Sequence, residues 1–185
     1  MTTKKDRLRF ERIMLVHHHA AYNLALWLLR DATEAEDIVQ TAYMKAFEHF
    51  ASFRGGNAAG WILTIVRNTA YNWLQKVKRN SNLVAFDEAI HGGTDYFQPS
   101  FHTMNPEDTF GANALGVQIM AAIERLQPEY REVFFLREIE EYSYQEIAET
   151  TQVPMGTVMS RLSRARFQLQ KLLAEQSKKE KIHAV

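Results

Sequence analysis

The chain has no cysteine. That excludes disulfides, thiolate metal sites and cysteine nucleophiles, and suits a reducing cytoplasm. It has no run approaching the roughly 20 apolar residues of a membrane span. The basic start, MTTKKDRLRF, is not followed by the uninterrupted apolar stretch of a signal peptide. A soluble cytoplasmic protein without membrane insertion is expected. An excess of either charge is missing too, since 22 Lys and Arg balance 22 Asp and Glu. Catalytic patterns are scarce: there is no phosphate-cradling glycine loop and no nucleophile arrangement. The acid pairs Glu107 with Asp108 and Glu140 with Glu141 carry no metal-ligand spacing. Neither an enzyme nor a cofactor or metal is expected. What the chain does have is 185 residues, 46% of them hydrophobic, enough for one or two small domains with real cores.

Neither internal repeats nor strand-type alternation occur, so the fold class expected is all-α. It should comprise two small helical domains joined by a flexible linker, the C-terminal one containing a helix-turn-helix. Helical periodicity fails from about Asn80 to Asn113, where Gly92, Gly93, Pro99 and Pro106 fall. The division expected is an N-terminal helical domain over 1–80, an acidic linker over 81–112, a C-terminal domain over 113–176 and a charged tail over 177–185. The zero net charge is segregated: Lys76, Lys78, Arg79 and the helix after Pro154 are basic, whereas Asp87, Glu88, Asp95, Glu107 and Asp108 have no Lys or Arg among them. A neutral chain gains little non-specific affinity from phosphate neutralisation, so a DNA-binding role here calls for a larger partner.

The stretch Ser143–Leu172 is the most informative. Ser143 with Glu146 forms a capping box that starts a helix at Tyr144. Ile147 and Ala148 supply its buried side, and it yields near Thr150–Val153 before Pro154 opens a second helix. In that second helix Val158, Leu162, Ala165, Leu169 and Leu172 form one apolar stripe. Gly156, Ser160, Ser163, Arg164, Phe167 and Lys171 lie opposite. A helix with a small N-terminal end, Arg161, Arg164, Arg166 and Lys171, and no acid before Glu175 can enter a major groove, although an amphipathic packing helix has the same periodicity.

In the N-terminal part a helix is expected from about Arg7 to Leu29, apolar nearly all round through Tyr22, Leu26, Trp27 and Leu29. After the break at Asp31, Thr33 and Glu36 read as another capping box. The helix they start buries Ala35, Ile38, Val39, Ala42, Tyr43, Ala46, Phe47 and Phe50, and shows Glu36, Asp37, Gln40, Thr41, Met44 and Lys45 outward. A turn over 53–57 precedes a third helix from about Ala58 to Lys78. There Ile62, Ile65, Val66, Thr69, Ala70, Trp73 and Val77 face inward, and Arg67, Asn68, Tyr71, Asn72, Gln75 and Lys76 outward. Asparagine and tyrosine beside basic residues, next to a Gly-rich turn flanked by Phe53 and Trp61, suit contact with opened DNA as well as an ordinary wet surface.

AEDIVQTAYMKAF at Ala35–Phe47, FRGGNAAGWILTIVRNTAYNWLQK at Phe53–Lys76 and the block Leu126–Arg166 resemble, in order and spacing, the extracytoplasmic-function sigma factors of the sigma-70 family. The resemblance covers roughly residues 10–80 and 113–174. It implies a factor that binds bacterial core RNA polymerase and directs promoter-specific initiation. Polymerase binding falls on Asp37, Gln40, Thr41 and Met44, against the clamp helices. Capture of the melted −10 element falls on Phe53, Arg54, Asn57, Trp61, Arg67, Asn68, Tyr71, Asn72 and Lys76. Reading of the −35 duplex falls on Thr157, Met159, Ser160, Arg161, Ser163, Arg164, Phe167 and Lys171, in a domain that also holds the polymerase flap. The family further implies an anti-sigma factor as partner. The alternative is a stand-alone helix-turn-helix regulator binding duplex DNA as a dimer.

Two departures stand out. Met159 occupies a position where similar sequences commonly carry Lys or Arg. The run His17, His18 and His19 lies outside the family pattern, and consecutive helical positions point about 100 degrees apart, too divergent to converge on one ion.

Overall fold

A computed structural model describes the backbone of residues 4–88 and 114–183 and the side chains of 5–79 and 115–175. Most of the expected linker over 81–112, with Gly92, Gly93, Pro99 and Pro106, lies outside the described residues. The described residues are helical with no strand, in two units that divide near Phe101.

The first unit holds α1 (Lys4–Met14), α2 (His18–Leu29), α3 (Ala32–Glu48) and α4 (Ala58–Glu88). The single helix expected over Arg7–Leu29 is in fact two, separated by a 3-10 turn at Leu15–His17. The His18 N–H bonds Leu15 O instead of continuing the α ladder. That leaves the Met14 carbonyl to accept the Tyr43 hydroxyl of α3 at 3.0 Å, so a tertiary bond stabilises the break. Burial holds the Tyr43 hydroxyl's pKa up at about 12, keeping it protonated as a donor.

The N-cap of α3 is Asp31, not Thr33. Arg30 ends α2 in the left-handed region at φ 65°, turning the chain so that Asp31 is extended and its carboxylate accepts the Glu34 N–H at 3.0 Å. Thr33 is thereby already inside the helix. Helices α2, α3 and α4 pack on one another around Leu24, Leu28, Ala35, Ala42, Leu63 and Val66, all essentially inaccessible. A second cluster, Phe10, Met14, Ala46, Phe50, Phe53 and Ile62, fixes α1 against the start of α4. Val77, expected inside, is exposed, because α4 has passed beyond its neighbours there. The helix then continues to Glu88, into the stretch expected to be linker.

The second unit holds α5 (Ala114–Glu124), α6 (Pro128–Glu138), α7 (Tyr144–Thr151) and α8 (Met155–His183), with α8 packed on the other three. Ile147, Val158, Leu162, Ala165 and Leu169 are buried as expected, with Leu172 half-buried. Helix α8 runs through the segment expected to be a tail, as far as His183. The turn between α7 and α8 is made by Gln152 at φ 56°, whose N–H caps Ala148 O.

The capping box forms in full. Ser143 Oγ accepts the Glu146 N–H at 3.2 Å, and Glu146 Oε2 accepts the Ser143 N–H at 2.9 Å. These bonds to Ser143 hold the Glu146 carboxyl below its ordinary pKa. A depressed folded-state pKa means that its contribution is complete above the ordinary carboxylate range and fades as pH falls through the lowered value. Ser143→Ala is expected to cost about 1 kcal/mol near neutral pH. The difference from wild type should narrow in acid, measured as denaturant midpoints over pH 3–7 on the order of that carboxylate range; a pH-independent difference would remove Glu146 from the cap's energetics.

Candidate functional site

Three surfaces carry the expected residues. On α3, Asp37, Gln40, Thr41 and Met44 recur at three- and four-residue spacing and are all exposed, Met44 to 62%. The opposite side of the same helix is fully buried through Ala35, Ala42 and Ala46. A large exposed thioether beside a carboxylate and an amide forms an amphipathic strip suited to another protein. Nearby, Glu34 is held above its ordinary pKa, first by burial and then by Asp31 and Asp37, so acidic groups crowd this end of α3. Lys45, expected on the outward face, reaches back toward Thr69 Oγ1 of α4 at 3.4 Å.

The second surface is the turn before α4 and the helix face beyond it. Gly55 and Gly56 take φ of 95° and 92°, a backbone that glycine alone adopts readily. Asn57 then starts α4, its Oδ1 accepting the Gly60 N–H at 2.8 Å. Phe53, expected to face DNA, is buried: it stacks on Phe50 at 6.0 Å and meets Trp61 at 5.2 Å. Its role is to anchor the turn, leaving Arg54 and Asn57 exposed and Trp61 half-buried behind them. Along α4, Trp61, Asn68 and Asn72 stand in one row. Arg67 lies over the Tyr71 ring at 4.6 Å and donates to Asn68 Oδ1 at 3.2 Å, so these three side chains are organised as a group. Asn72 and Lys76 are exposed beside it.

The third surface is α8. Met159, Ser160, Ser163, Arg164, Phe167 and Lys171 are exposed, and Thr157 is half-buried. Two further arginines of α8 are engaged with the protein. Arg161 is half-buried, with Nη1 enclosed and without a hydrogen-bond partner, so it turns along the protein rather than outward. Arg166 is committed to α6: Nη2 and Nε donate to Glu138 Oε1 at 2.6 and 3.2 Å, an ion pair that raises the guanidinium pKa further. Arg164 and Lys171 are thus the outward cations of this face, and sequence spacing gave no sign of the Arg166 pairing across 28 positions.

Among the described residues no group of three or more His, Asp or Glu is placed to hold a metal ion. His17 closes the 3-10 turn, while His18 and His19 open α2. Among the same residues no helix is long and apolar enough to cross a membrane.

Residues 14–80 match the family model for sigma-70 region 2, and residues 116–169 the model for sigma-70 region 4. The chain is also 32% identical over 173 residues to the ECF (extracytoplasmic-function) RNA polymerase sigma factor SigW of Bacillus subtilis, covering 93% of this chain and 92% of that one. This chain belongs to the extracytoplasmic-function group of the sigma-70 family. A second relative, the sigma factor SigE of Mycolicibacterium smegmatis, is 34% identical over 88% of this chain, which spans 62% of that protein's length. Among solved structures, the sigma factor RpoE of Bartonella quintana, crystallised with the anti-sigma factor NepR, has a TM-score of 0.69 and 29% identity, over 90% of this chain and 97% of that one. Sigma factors are initiation factors and not enzymes. The stand-alone regulator is not favoured, because the N-terminal unit it would need for dimerisation or ligand binding matches region 2 instead.

Proposed function

We propose that this sigma factor brings core RNA polymerase to promoters through a division of labour among the three surfaces. Domain 1–80 docks on the polymerase clamp helices through Asp37, Gln40, Thr41 and Met44. It captures the melted −10 element with Arg54, Asn57, Trp61, Arg67, Asn68, Tyr71, Asn72 and Lys76, while Phe53 holds the turn from behind. Domain 113–176 reads the −35 duplex with the outward face of α8 and holds the flap, and the segment 81–112 tethers the two. The work is done in the cytoplasm, and an anti-sigma factor, like the one bound to the Bartonella quintana relative, holds the protein until it is needed.

The observation that carries this reading is the presence of both sigma-70 regions, in the family's order. Charge supports it as well: the chain is neutral overall, so duplex affinity must come largely from the polymerase that carries it. Run-off transcription with core polymerase, with and without this protein, on a promoter library tests it. Initiation at a defined subset only when the protein is present is expected; sequence-specific duplex binding by the protein alone, with no transcript, would overturn it.

Opening of the downstream element depends on α4 in this scheme. Asn68→Ala, Tyr71→Ala and Asn72→Ala together are expected to spare polymerase binding and to reduce permanganate-reactive thymines at the start site. Base stacking is worth about 1–3 kcal/mol per base, so loss of one stacking platform lowers open-complex occupancy roughly 5- to 150-fold. Wild-type reactivity in the triple variant would make this surface merely solvated.

A further inference from the structure

The outward side of α8 has two flanks of different chemistry. One carries the exposed cations Arg164 and Lys171. The other carries Met159, exposed to 51%, and Phe167, exposed to 67%, on either side of Ser163 at four-residue spacing. A shallow cavity of about 340 Å³ lies along this second flank, lined also by Tyr144 from the start of α7. The cation bordering it, Arg166, is already taken by Glu138. This flank therefore offers a phosphate little charge, and the Met159 side chain has no hydrogen-bond donor for a base edge or a phosphate. In a major groove the one apolar feature presented by a base pair is the 5-methyl group of thymine. Met159 sits in the second turn of α8, the end of such a helix that reaches base edges.

We propose that Met159 is a specificity-determining residue that reads the 5-methyl of a thymine in the upstream element, with Phe167 walling the same flank. The proposal rests on the duplex-reading role of α8 given above. An unbranched thioether adapts its shape to an apolar partner such as a methyl group. Tyr144 and the paired Arg166 line the same cavity as Met159 and Phe167.

The test uses holoenzyme made from the full chain and core polymerase. Its upstream element is first obtained by selection from randomised promoters. Each thymine of that element, on either strand, is then replaced singly by deoxyuridine, which keeps every hydrogen-bonding group and removes the methyl. At one position the substitution is expected to weaken wild-type binding about fourfold, the worth of one buried methyl. Met159→Leu should retain that penalty and Met159→Ala should lose it. Tolerance of deoxyuridine at every position, a selected element without thymine, or an undiminished penalty in Met159→Ala overturns the proposal. Weakened binding of Met159→Ala to core polymerase, with the thymine response unchanged, makes the flank a protein-docking surface and overturns it too. A holoenzyme indifferent to the whole upstream sequence removes the duplex-reading role itself, whereas sequence preference without methyl sensitivity removes only the thymine contact.

Discussion

Alanine at both Asp37 and Gln40 is expected to leave the fold intact and to weaken binding to core RNA polymerase by about 2–5 kcal/mol, roughly 30- to several-thousand-fold. Both side chains are exposed on α3, so their removal opens no cavity and breaks no tertiary bond. Thermal melts should superimpose on wild type. The loss is large because a carboxylate and an amide desolvated at an interface leave unpaired donors on the partner when they are cut away. Salt distinguishes their parts: the single Asp37→Ala change should reduce the ionic-strength dependence of binding, and Gln40→Ala should not. An unchanged dissociation constant for the double variant would take Asp37 and Gln40 out of the polymerase interface, leaving Thr41 and Met44 of the same face to be tested in turn.

That prediction draws on a face legible from spacing alone, and the comparison of reading with structure shows why some features are legible and others are not. The capping box at Ser143 and Glu146 is local chemistry, three residues apart, and forms as read. The apolar stripe of α8 is a periodicity and is buried as read. The break at Leu15–His17 has no proline or glycine to announce it. It is stabilised by the Tyr43 hydroxyl, 29 positions away from the Met14 carbonyl it reaches. At the start of α3 two residues able to cap lie two apart, and the left-handed turn at Arg30 decided for Asp31. Phe53 falls among the expected DNA contacts because it flanks the Gly-rich turn and lies in the block that resembles the family. The packing of Phe50 and Trp61 against it, invisible in the order of residues, draws it into the core. Only the break at Leu15–His17 is settled by a contact distant in sequence; the cap and Phe53 turn on backbone conformation and ring packing within a few residues, which hydrophobic periodicity does not resolve.

Arg164 is the most discriminating residue to test, since the other two arginines in this half of α8 are engaged with the protein, one in a surface ion pair and one by partial burial. Arg166 is held by Glu138, and Arg161 lies half-buried along the protein. Arg164 is an exposed guanidinium in the N-terminal half of α8, flanked by Ser160 and Ser163 and outside the Arg166–Glu138 pair. A planar fork of donors can bind guanine O6 and N7 together, worth roughly 1–3 kcal/mol of discrimination. Arg164→Ala is therefore expected to relax base preference at one upstream position and to leave the rest of the selected motif intact. Lys171→Ala, two turns further on, removes a point charge suited to phosphate. It should weaken all sequences alike and lower the slope of log affinity against log salt by about 1. Arg164→Lys separates the two kinds of contact. It keeps the charge but loses the fork, so it should behave like the alanine variant in selectivity and like wild type in salt dependence. Selection from randomised upstream elements reads all three variants. If Arg164→Ala returns the wild-type motif with uniformly weaker binding, its guanidinium serves phosphate, and base reading passes to the serines and the Met159 flank.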